Sequence, residues 1–301
     1  MKKTQWTVWL ALVELLLAAM LWGFGFIASA WALEAINPFE LTLLRFLLAG
    51  AVGLPFLFHR SVRGQWRTLL ALSFLPAVFL AGTLQLQTWG LKFTTATKSG
   101  FITTLYVIFV PLLESLLSRR NLPRGIWACV GLAFVGTALI VNIGVSDINF
   151  GDLLTLGCAI VATGQIYWMG VVSPRIKHPF AFNIFQCLWS IALALPFVQW
   201  SSFGPKVLAF QSWSSHAFWG VMSLAFGSTM IAFFLQVRAQ AKLSATTSSV
   251  MFLLESPFAL IFAVMLLGEH LSSTEAVGAV LIFVSALLAT WLESRAEARV
   301  G

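Results

Sequence analysis

Glu255 is the side chain with the clearest capacity for chemistry, because it interrupts a long apolar run. A helix over this run would place the carboxyl group near the middle of a membrane span. An ionised group at that depth is costly, so it is expected to face protein or a water-filled cavity. We expect Glu255 to bind substrate or to exchange protons. The alternative is a structural hydrogen bond to a neighbouring helix.

A second polar stripe repeats this one 149 residues earlier in the chain. The first stripe is Ser248, Phe252, Glu255 and Ala259, and its equivalent is Ser99, Thr103 and Tyr106. Within each stripe the spacing places the side chains on one face of a helix. Because Tyr106 is equivalent to Glu255, we predict that the two residues form opposite walls of a central cavity and that Thr103 and Ser248 contribute to it.

Two further charged residues lie within apolar runs. Glu14 lies one to two turns inside a boundary marked by Trp6 and Trp9, and if it faces a cavity it can take up a proton or hold a substrate ammonium group. Arg45 lies two turns inside the opposite boundary. It can neutralise a substrate carboxylate or cap carbonyl groups freed near Pro38, and the sequence leaves both readings open.

Amide, hydroxyl and aromatic side chains complete the predicted binding site. The candidates are Gln85, Gln87, Gln165, Tyr167, Thr229 and Gln236, whose groups suit hydrogen bonding to a zwitterion or a heterocycle. Trp22, near the middle of its run, can stack on a flat substrate. Trp89 and Trp168 are more typical of the aromatic belt at a membrane surface.

The composition indicates which kind of structural element carries these residues. Hydrophobic residues make up 59% of the 301 positions and charged residues 10%, whereas a soluble domain has about 25% charged residues. This balance indicates a membrane protein surrounded by lipid. A crossing helix needs about 20 apolar residues. Ten segments qualify: residues 9–33, 39–58, 68–91, 99–117, 124–141, 153–172, 180–200, 217–237, 243–267 and 277–292.

The basic residues predict how these segments are oriented. With the N-terminus inside, fourteen of the eighteen lysines and arginines fall on the inner side, as expected for cytoplasmic loops. Both termini are therefore predicted to be cytoplasmic, in a multi-pass protein of the cytoplasmic (inner) membrane. The first segment follows two lysines as in a signal peptide, but its length favours a retained span.

The two halves of the sequence are similar to each other. A shift of 141 residues superposes Pro38-Phe39 on Pro179-Phe180, and a shift of 149 gives 13 identities over residues 86–139 without a gap. We interpret the chain as two five-helix repeats, residues 1–148 and 149–301. Because five is odd, the second repeat would be inverted relative to the first, an arrangement that places a transport site near the midplane.

Other classes of function find little support. The three cysteines show no paired spacing and the four histidines form no metal-binding pair, so neither a metal nor another cofactor is predicted. The positive charge is scattered between apolar runs rather than along one face, which argues against nucleic acid. An intramembrane enzyme using Glu255, Glu14 and Tyr106 is an alternative, but HExxH, nucleotide-loop and paired-Asp motifs are missing from the sequence.

Several of these motifs resemble the EamA-type family of drug/metabolite transporters. They are Leu21-Trp22-Gly23-Phe24-Gly25-Phe26, Pro38 through Arg45-Phe46, Phe234-Leu235-Gln236-Val237-Arg238-Ala239-Gln240, Glu255-Ser256-Pro257 and Leu267-Gly268-Glu269. The resemblance covers essentially the whole chain. It implies a ten-helix exporter of amino acids or related metabolites, with a cavity lined mainly by helices 1, 3, 4, 6, 8 and 9.

The sequence therefore predicts a secondary transporter rather than an enzyme. Its partners would be a small-molecule substrate and the lipid bilayer, with transport by facilitated diffusion or proton exchange. Uptake of a nucleobase-like or sugar-linked compound is a second transport hypothesis.

Overall fold

The protein is a bundle of α-helices, seen in a computed structural model that describes residues 5–94, 96–118, 123–141, 148–267 and 272–300. The helices are α1 Gln5–Ala32, α2 Pro38–Leu57, α3 Arg60–Arg63, α4 Trp66–Gly90, α5 Ala96–Thr104, α6 Tyr106–Ser118, α7 Arg124–Val141, α8 Phe150–Val172, α9 Pro179–Ala194, α10 Trp200–Leu208, α11 Ser215–Met222, α12 Phe233–Gln240, α13 Ala245–Phe252, α14 Glu255–Leu267 and α15 Ser273–Val300. A π-helical segment, Ser223–Ala232, joins α11 to α12. The described residues contain no β-strand.

Seven helical stretches are long and apolar enough to cross a membrane. They are α1, α2, α4, α8, α9, the continuous helix from α11 to α12, and α13 with α14. Three shorter apolar helices, Ile102–Leu117, Arg124–Leu139 and Ser273–Ala289, accompany them. Each of these stretches overlaps one of the segments predicted from the sequence. Their outward faces carry apolar side chains such as Leu153 and Leu287, as a lipid-exposed surface requires.

Two capping boxes define where α2 and α8 begin. The Asn37 side chain accepts from the Glu40 amide (3.0 Å), while Glu40 Oε2 accepts from the Asn37 amide (3.2 Å). Asn149 and Asp152 repeat this arrangement at 3.1 and 2.9 Å. Each box satisfies two amides that would otherwise have no partner at the helix start. The helices consequently begin slightly before the apolar runs predicted for them.

Two spans that the sequence predicts as continuous are interrupted. The first breaks at Leu105, between α5 and α6, and the second breaks at Leu253 and Leu254, between α13 and α14. Pro257 accounts for the second break, because proline has no amide hydrogen to donate to Leu253. The Leu253 carbonyl accepts from Ser256 instead, at 3.1 Å. Ile102–Leu117 and Ala245–Leu266 nevertheless remain single apolar stretches, so each break lies inside a predicted segment.

The region between the seventh and eighth predicted spans also differs from the prediction. The seventh predicted segment runs to residue 200, but α9 ends at Ala194 and is followed by a 3-10 turn that contains Pro196. The short helix α10 then leads toward α11. In the eighth span the π-helical hydrogen bonding over Ser223–Ala232 replaces the regular α-helix that was expected.

Helices α7 and α15 pack closely through small residues. Ser285 Oγ donates to the Cys129 carbonyl at 2.7 Å. A Cβ atom at Gly136 would lie only 2.7 Å from the Gly278 carbonyl oxygen, so the two backbones nearly touch there. Small residues on both helices therefore permit this close contact.

Candidate functional site

A cavity of about 650 Å³, including its open mouth, lies within the bundle. Its polar side chains are Ser29, Arg45, Thr83, Gln87, Thr103, Tyr106, Gln165, Ser228, Gln236 and Glu255, and its aromatic ones include Trp22, Phe26, Phe233 and Phe252. These residues come from the six spans that the family resemblance implies, with Arg45 of α2 in addition. The described side chains of α7, α9 and α15 do not contribute to the wall.

Tyr106 and Glu255 meet inside this cavity. The Tyr106 hydroxyl donates to Glu255 Oε1 at 3.2 Å, and the two residues are only 4% and 7% exposed. Each is the first residue of the helix that follows a break, Tyr106 in α6 and Glu255 in α14. The sequence placed them on opposite walls of a cavity, and the structure brings them into direct contact.

Seven of the twelve predicted site residues line the cavity. They are Trp22, Gln87, Thr103, Tyr106, Gln165, Gln236 and Glu255. The other five, Glu14, Gln85, Tyr167, Thr229 and Ser248, are outside its lining.

Glu14 forms an ion pair instead of facing the cavity. Its Oε1 lies 2.7 Å from Arg238 Nη2, and the Glu14 side chain is 5% exposed while that of Arg238 is 39% exposed. Arg238 belongs to α12, so the pair connects α1 to α12 at one end of the bundle. The sequence could not reveal this partner, because the two residues are far apart in the chain.

The remaining four residues have other surroundings. Ser248 lies one turn before Phe252 and is fully buried. Neither Ser248 Oγ nor Gln85 Nε2 has a hydrogen-bond partner among the described residues. Tyr167 is half-buried and packs edge-on against Trp168. Thr229 is fully buried and accepts a hydrogen bond from Arg45.

Arg45 reaches the cavity from the second span. Its Nε donates to Thr229 Oγ1 at 2.7 Å and its Nη2 donates to Ser228 Oγ at 2.9 Å. The carbonyl of Pro38 accepts from Thr42 Oγ1 at 2.9 Å. Both of the Arg45 bonds thus go to hydroxyl groups of the eighth span rather than to carbonyls near Pro38.

A glutamine network closes one side of the cavity. Gln165 of α8 and Gln236 of α12 exchange two amide hydrogen bonds, at 3.2 and 3.1 Å. Gln236 also donates to Gln240 (2.8 Å), which in turn donates to the Ile166 carbonyl (3.0 Å). The internal repeat carries a signal for Gln236, because it is equivalent to Gln87 and both line the cavity.

Three hydroxyl residues of the wall were missed by the sequence reasoning. They are Ser29, Thr83 and Ser228. Small hydroxyl residues are common in membrane helices, so their presence in a span carries no signal of a site. Only the rotation of each helix in the bundle decides that they face the cavity.

Trp22 is held in a fixed orientation in the wall. Its ring lies 5.1 Å from that of Phe233 and 5.0 Å from that of Phe252. Its Nε1 donates to the Ser228 carbonyl at 3.2 Å. The side chain therefore offers a rigid apolar surface to whatever enters the cavity.

Among the residues that the structure describes, no group of three or more histidine, cysteine, aspartate or glutamate side chains is placed to hold a metal ion. Cys129, Cys158 and Cys187 are all buried and free.

An apolar helical exterior around a buried polar cavity is the arrangement of a membrane transporter. The sequence profile of the EamA-like transporter family matches residues 8–142 and again residues 149–291. The chain belongs to this family, as its motifs predict. It is a multi-pass membrane transporter.

Individual relatives agree with this assignment. The chain is 30% identical over 274 residues to an uncharacterized transporter of Archaeoglobus fulgidus, covering 91% of this chain and 83% of the relative. It is 27% identical over 254 residues to the uncharacterized transporter YetK of Bacillus subtilis, covering 80% and 74% respectively. A crystal structure at 19% identity shares the fold with a TM-score of 0.72, over 95% of this chain and 98% of the other.

Proposed function

We propose that this protein exports an amino acid or a related small metabolite across the cytoplasmic membrane by alternating access. The observation that carries the proposal is the contact between Tyr106 and Glu255 in a buried polar cavity. These residues occupy equivalent positions in the two halves of the sequence. A site built where two equivalent halves meet is the arrangement that alternating access requires.

The boundaries of the helices support the interpretation as two repeats, residues 1–148 and 149–301. Helices α5, α6 and α7 start at Ala96, Tyr106 and Arg124, and α13, α14 and α15 each start 149 residues later. Helices α6 and α14 are both 13 residues long. With five crossings in each repeat, the second repeat is inverted and the chain crosses the membrane ten times. Both termini are then cytoplasmic, in agreement with the distribution of lysine and arginine.

In this orientation the two ends of the cavity differ. Along α1, Glu14 precedes Trp22 on the cytoplasmic side, whereas Ser29 follows it toward the outside. The ion pair of Glu14 with Arg238 and the bonds of Gln165 with Gln236 therefore close the cytoplasmic side. Export requires these contacts to open so that substrate can enter from the cytoplasm.

The chemistry of the wall suits a small polar substrate with an apolar part. Gln87, Thr103 and Gln165 offer hydrogen bonds, and Trp22 offers an apolar face. Glu255 is the one carboxylate among the described lining residues. It can bind an ammonium group or carry a proton in exchange for substrate.

Flux through proteoliposomes containing the purified protein tests this function. Labelled amino acids and nucleobases are screened with and without a pH gradient, for the wild type, Glu255→Gln and the control Glu34→Gln, whose carboxylate is exposed. We expect amino-acid flux that responds to the gradient in the wild type and in the control but not in Glu255→Gln. Equal flux in all three would leave Glu255 without a role in coupling. Flux of nucleobases alone, or of none of these solutes, would contradict the proposed substrate class.

A further inference from the structure

Arg45 is a buried cation that has no counter-charge among the residues that the structure describes. Its side chain is 3% exposed, yet it contributes to the wall of the cavity. Its two hydrogen bonds go to the neutral hydroxyl groups of Ser228 and Thr229. Within the described ranges no carboxylate lies within 4 Å of the guanidinium, and two of its five N–H groups have acceptors.

Two other buried charges in this bundle, Glu40 and Glu14, are paired with cations. Glu40 is fully buried and lies 3.1 Å from Lys206 Nζ, and Glu14 lies 2.7 Å from Arg238. A buried charge without a partner is unfavourable, because the lost hydration is not replaced. The hydroxyl groups of Ser228 and Thr229 replace only part of the hydration that Arg45 has lost. An anion that binds Arg45 therefore gains more interaction free energy than one that binds an arginine already paired with a carboxylate.

The π-helical segment holds Arg45 in place. Ser228 and Thr229 both belong to this segment, and two neighbouring helices fix its backbone. Trp22 of α1 donates to the Ser228 carbonyl (3.2 Å), and Asn183 Nδ2 of α9 donates to the carbonyls of Thr229 (3.2 Å) and Met230 (3.0 Å). Arg45 itself binds from α2. Single π-helical segments inside longer helices are frequent at functional sites, and a guanidinium fixed before binding loses little freedom when a ligand arrives.

We propose that Arg45 binds the carboxylate of the transported substrate, which restricts the substrates to metabolites that carry a free carboxylate group. This inference rests on the proposed transport function and narrows its substrate class. The planar guanidinium group matches a carboxylate through two parallel hydrogen bonds. Amines, neutral amides and nucleobases lack that group and leave Arg45 unpaired in the bound state.

Equilibrium binding to the purified protein tests the inference separately from transport. Labelled L-amino acids are bound in a scintillation proximity assay and displaced by the same amino acids, by their carboxamides, by the corresponding decarboxylated amines and by inorganic phosphate. The proteins compared are the wild type, Arg45→Gln, Arg45→Lys and the control Arg63→Gln, which removes an exposed arginine far from the cavity wall.

We expect the wild type and Arg63→Gln to bind each carboxylate about tenfold or more tightly than its amide, the effect of a charge-assisted hydrogen bond. The ratio should fall toward one in Arg45→Gln and be intermediate in Arg45→Lys. The ratio of carboxylate affinity to amide affinity is measured within one variant. A variant that folds less completely therefore binds less ligand in total, but its affinity ratio is unchanged. A ratio in Arg45→Gln equal to that of the wild type would overturn the inference, as would amides, amines or phosphate that bind as well as the carboxylates.

The two proposals fail in different ways. Selective carboxylate binding that depends on Arg45, without flux in proteoliposomes, would contradict the transport function and leave the anion site standing. Flux that does not distinguish carboxylates from amides would contradict the anion site at Arg45 and leave the transport function standing. An absence of binding and of flux for every amino acid would overturn both.

Discussion

The hydroxyl group of Tyr106 lies 3.2 Å from Glu255 Oε1, and the two residues are 149 positions apart in the chain. The same shift relates the starts of α6 and α14 and the breaks that precede them. The helix starts that this shift relates are therefore in contact, and their polar side chains bind each other. A movement that separates α6 from α14 at this point has to break this hydrogen bond.

Replacing Tyr106 by phenylalanine should lower both stability and coupling. The ring is kept, but the hydrogen bond to Glu255 is lost, at a cost of about 1–2 kcal/mol. We expect a lower midpoint of thermal unfolding in detergent and a weaker response of flux to a pH gradient. Tyr167→Phe is the matched control, since the chain has two tyrosines and the Tyr167 hydroxyl has no described hydrogen-bond partner. Equal behaviour of the two variants would show that the bond to Glu255 contributes nothing.

Replacing Gly23 by alanine should disturb the helix that carries Glu255. A Cβ atom there would lie 2.7 Å from the Glu255 carbonyl oxygen and 2.8 Å from Phe258 Cβ, so α1 and α14 would have to separate. Overpacking of this kind costs about 1–3 kcal/mol. We expect reduced thermal stability and reduced flux.

Gly131→Ala provides the comparison for that change. Gly131 also lies within a long helix, but a Cβ atom at this position meets nothing within 4 Å. Its replacement should leave stability unchanged or slightly higher, since alanine is the better helix former. If both glycine variants unfold at the same temperature, close packing at Gly23 is not important.

The ion pair between Glu14 and Arg238 should respond unequally to the loss of either partner. Arg238→Gln removes the arginine that pairs with the buried Glu14 carboxylate and leaves Lys242 as the cation still acting on it, which we expect to cost about 1–3 kcal/mol. Glu14→Gln leaves an arginine that is 39% exposed and can reach water, so its cost should stay below about 1 kcal/mol. Thermal unfolding of both variants in the same detergent measures the difference. A larger loss for Glu14→Gln would contradict the observed burial.

The amide pair of Gln165 and Gln236 should behave as a unit. Replacing either glutamine by leucine leaves a buried amide without its partner, at about 1–3 kcal/mol. Replacing both removes the two partners together, so the double variant should lose less stability than the two single variants combined. Additive losses in this double-mutant cycle, measured by thermal unfolding, would indicate that the two side chains do not interact.

Much of the fold could be predicted because it depends on properties read along the chain. The length of each apolar run predicts where a span lies, and α7, for which both ends were predicted correctly, shows how well this works. The position of Glu255 within its apolar run predicts a cavity residue, and the internal similarity adds Tyr106 as its equivalent. Both patterns lie within the sequence itself, so they can be recognised without knowing how the helices pack.

Helix interruptions were harder to predict. A proline in an apolar run is compatible with a continuous or kinked helix, and α2 continues past Pro55 while the span containing Pro257 breaks. The choice depends on whether neighbouring groups satisfy the backbone. The same holds for the π-helical segment, whose carbonyl groups are bound by Trp22 and Asn183 from other helices.

The order of residues along the chain is enough to identify a helical membrane protein of the EamA-like family and to indicate which polar residues are candidates for a site. How those residues are used depends on the packing of the helices. The packing pairs Glu14 with Arg238, makes Thr229 a partner of Arg45 rather than a lining residue, and brings Arg45 to the cavity with no carboxylate within 4 Å among the described residues. These roles could not be predicted, because the role of a buried charge depends on its nearest opposite charge and that distance is set by the rotation of packed helices.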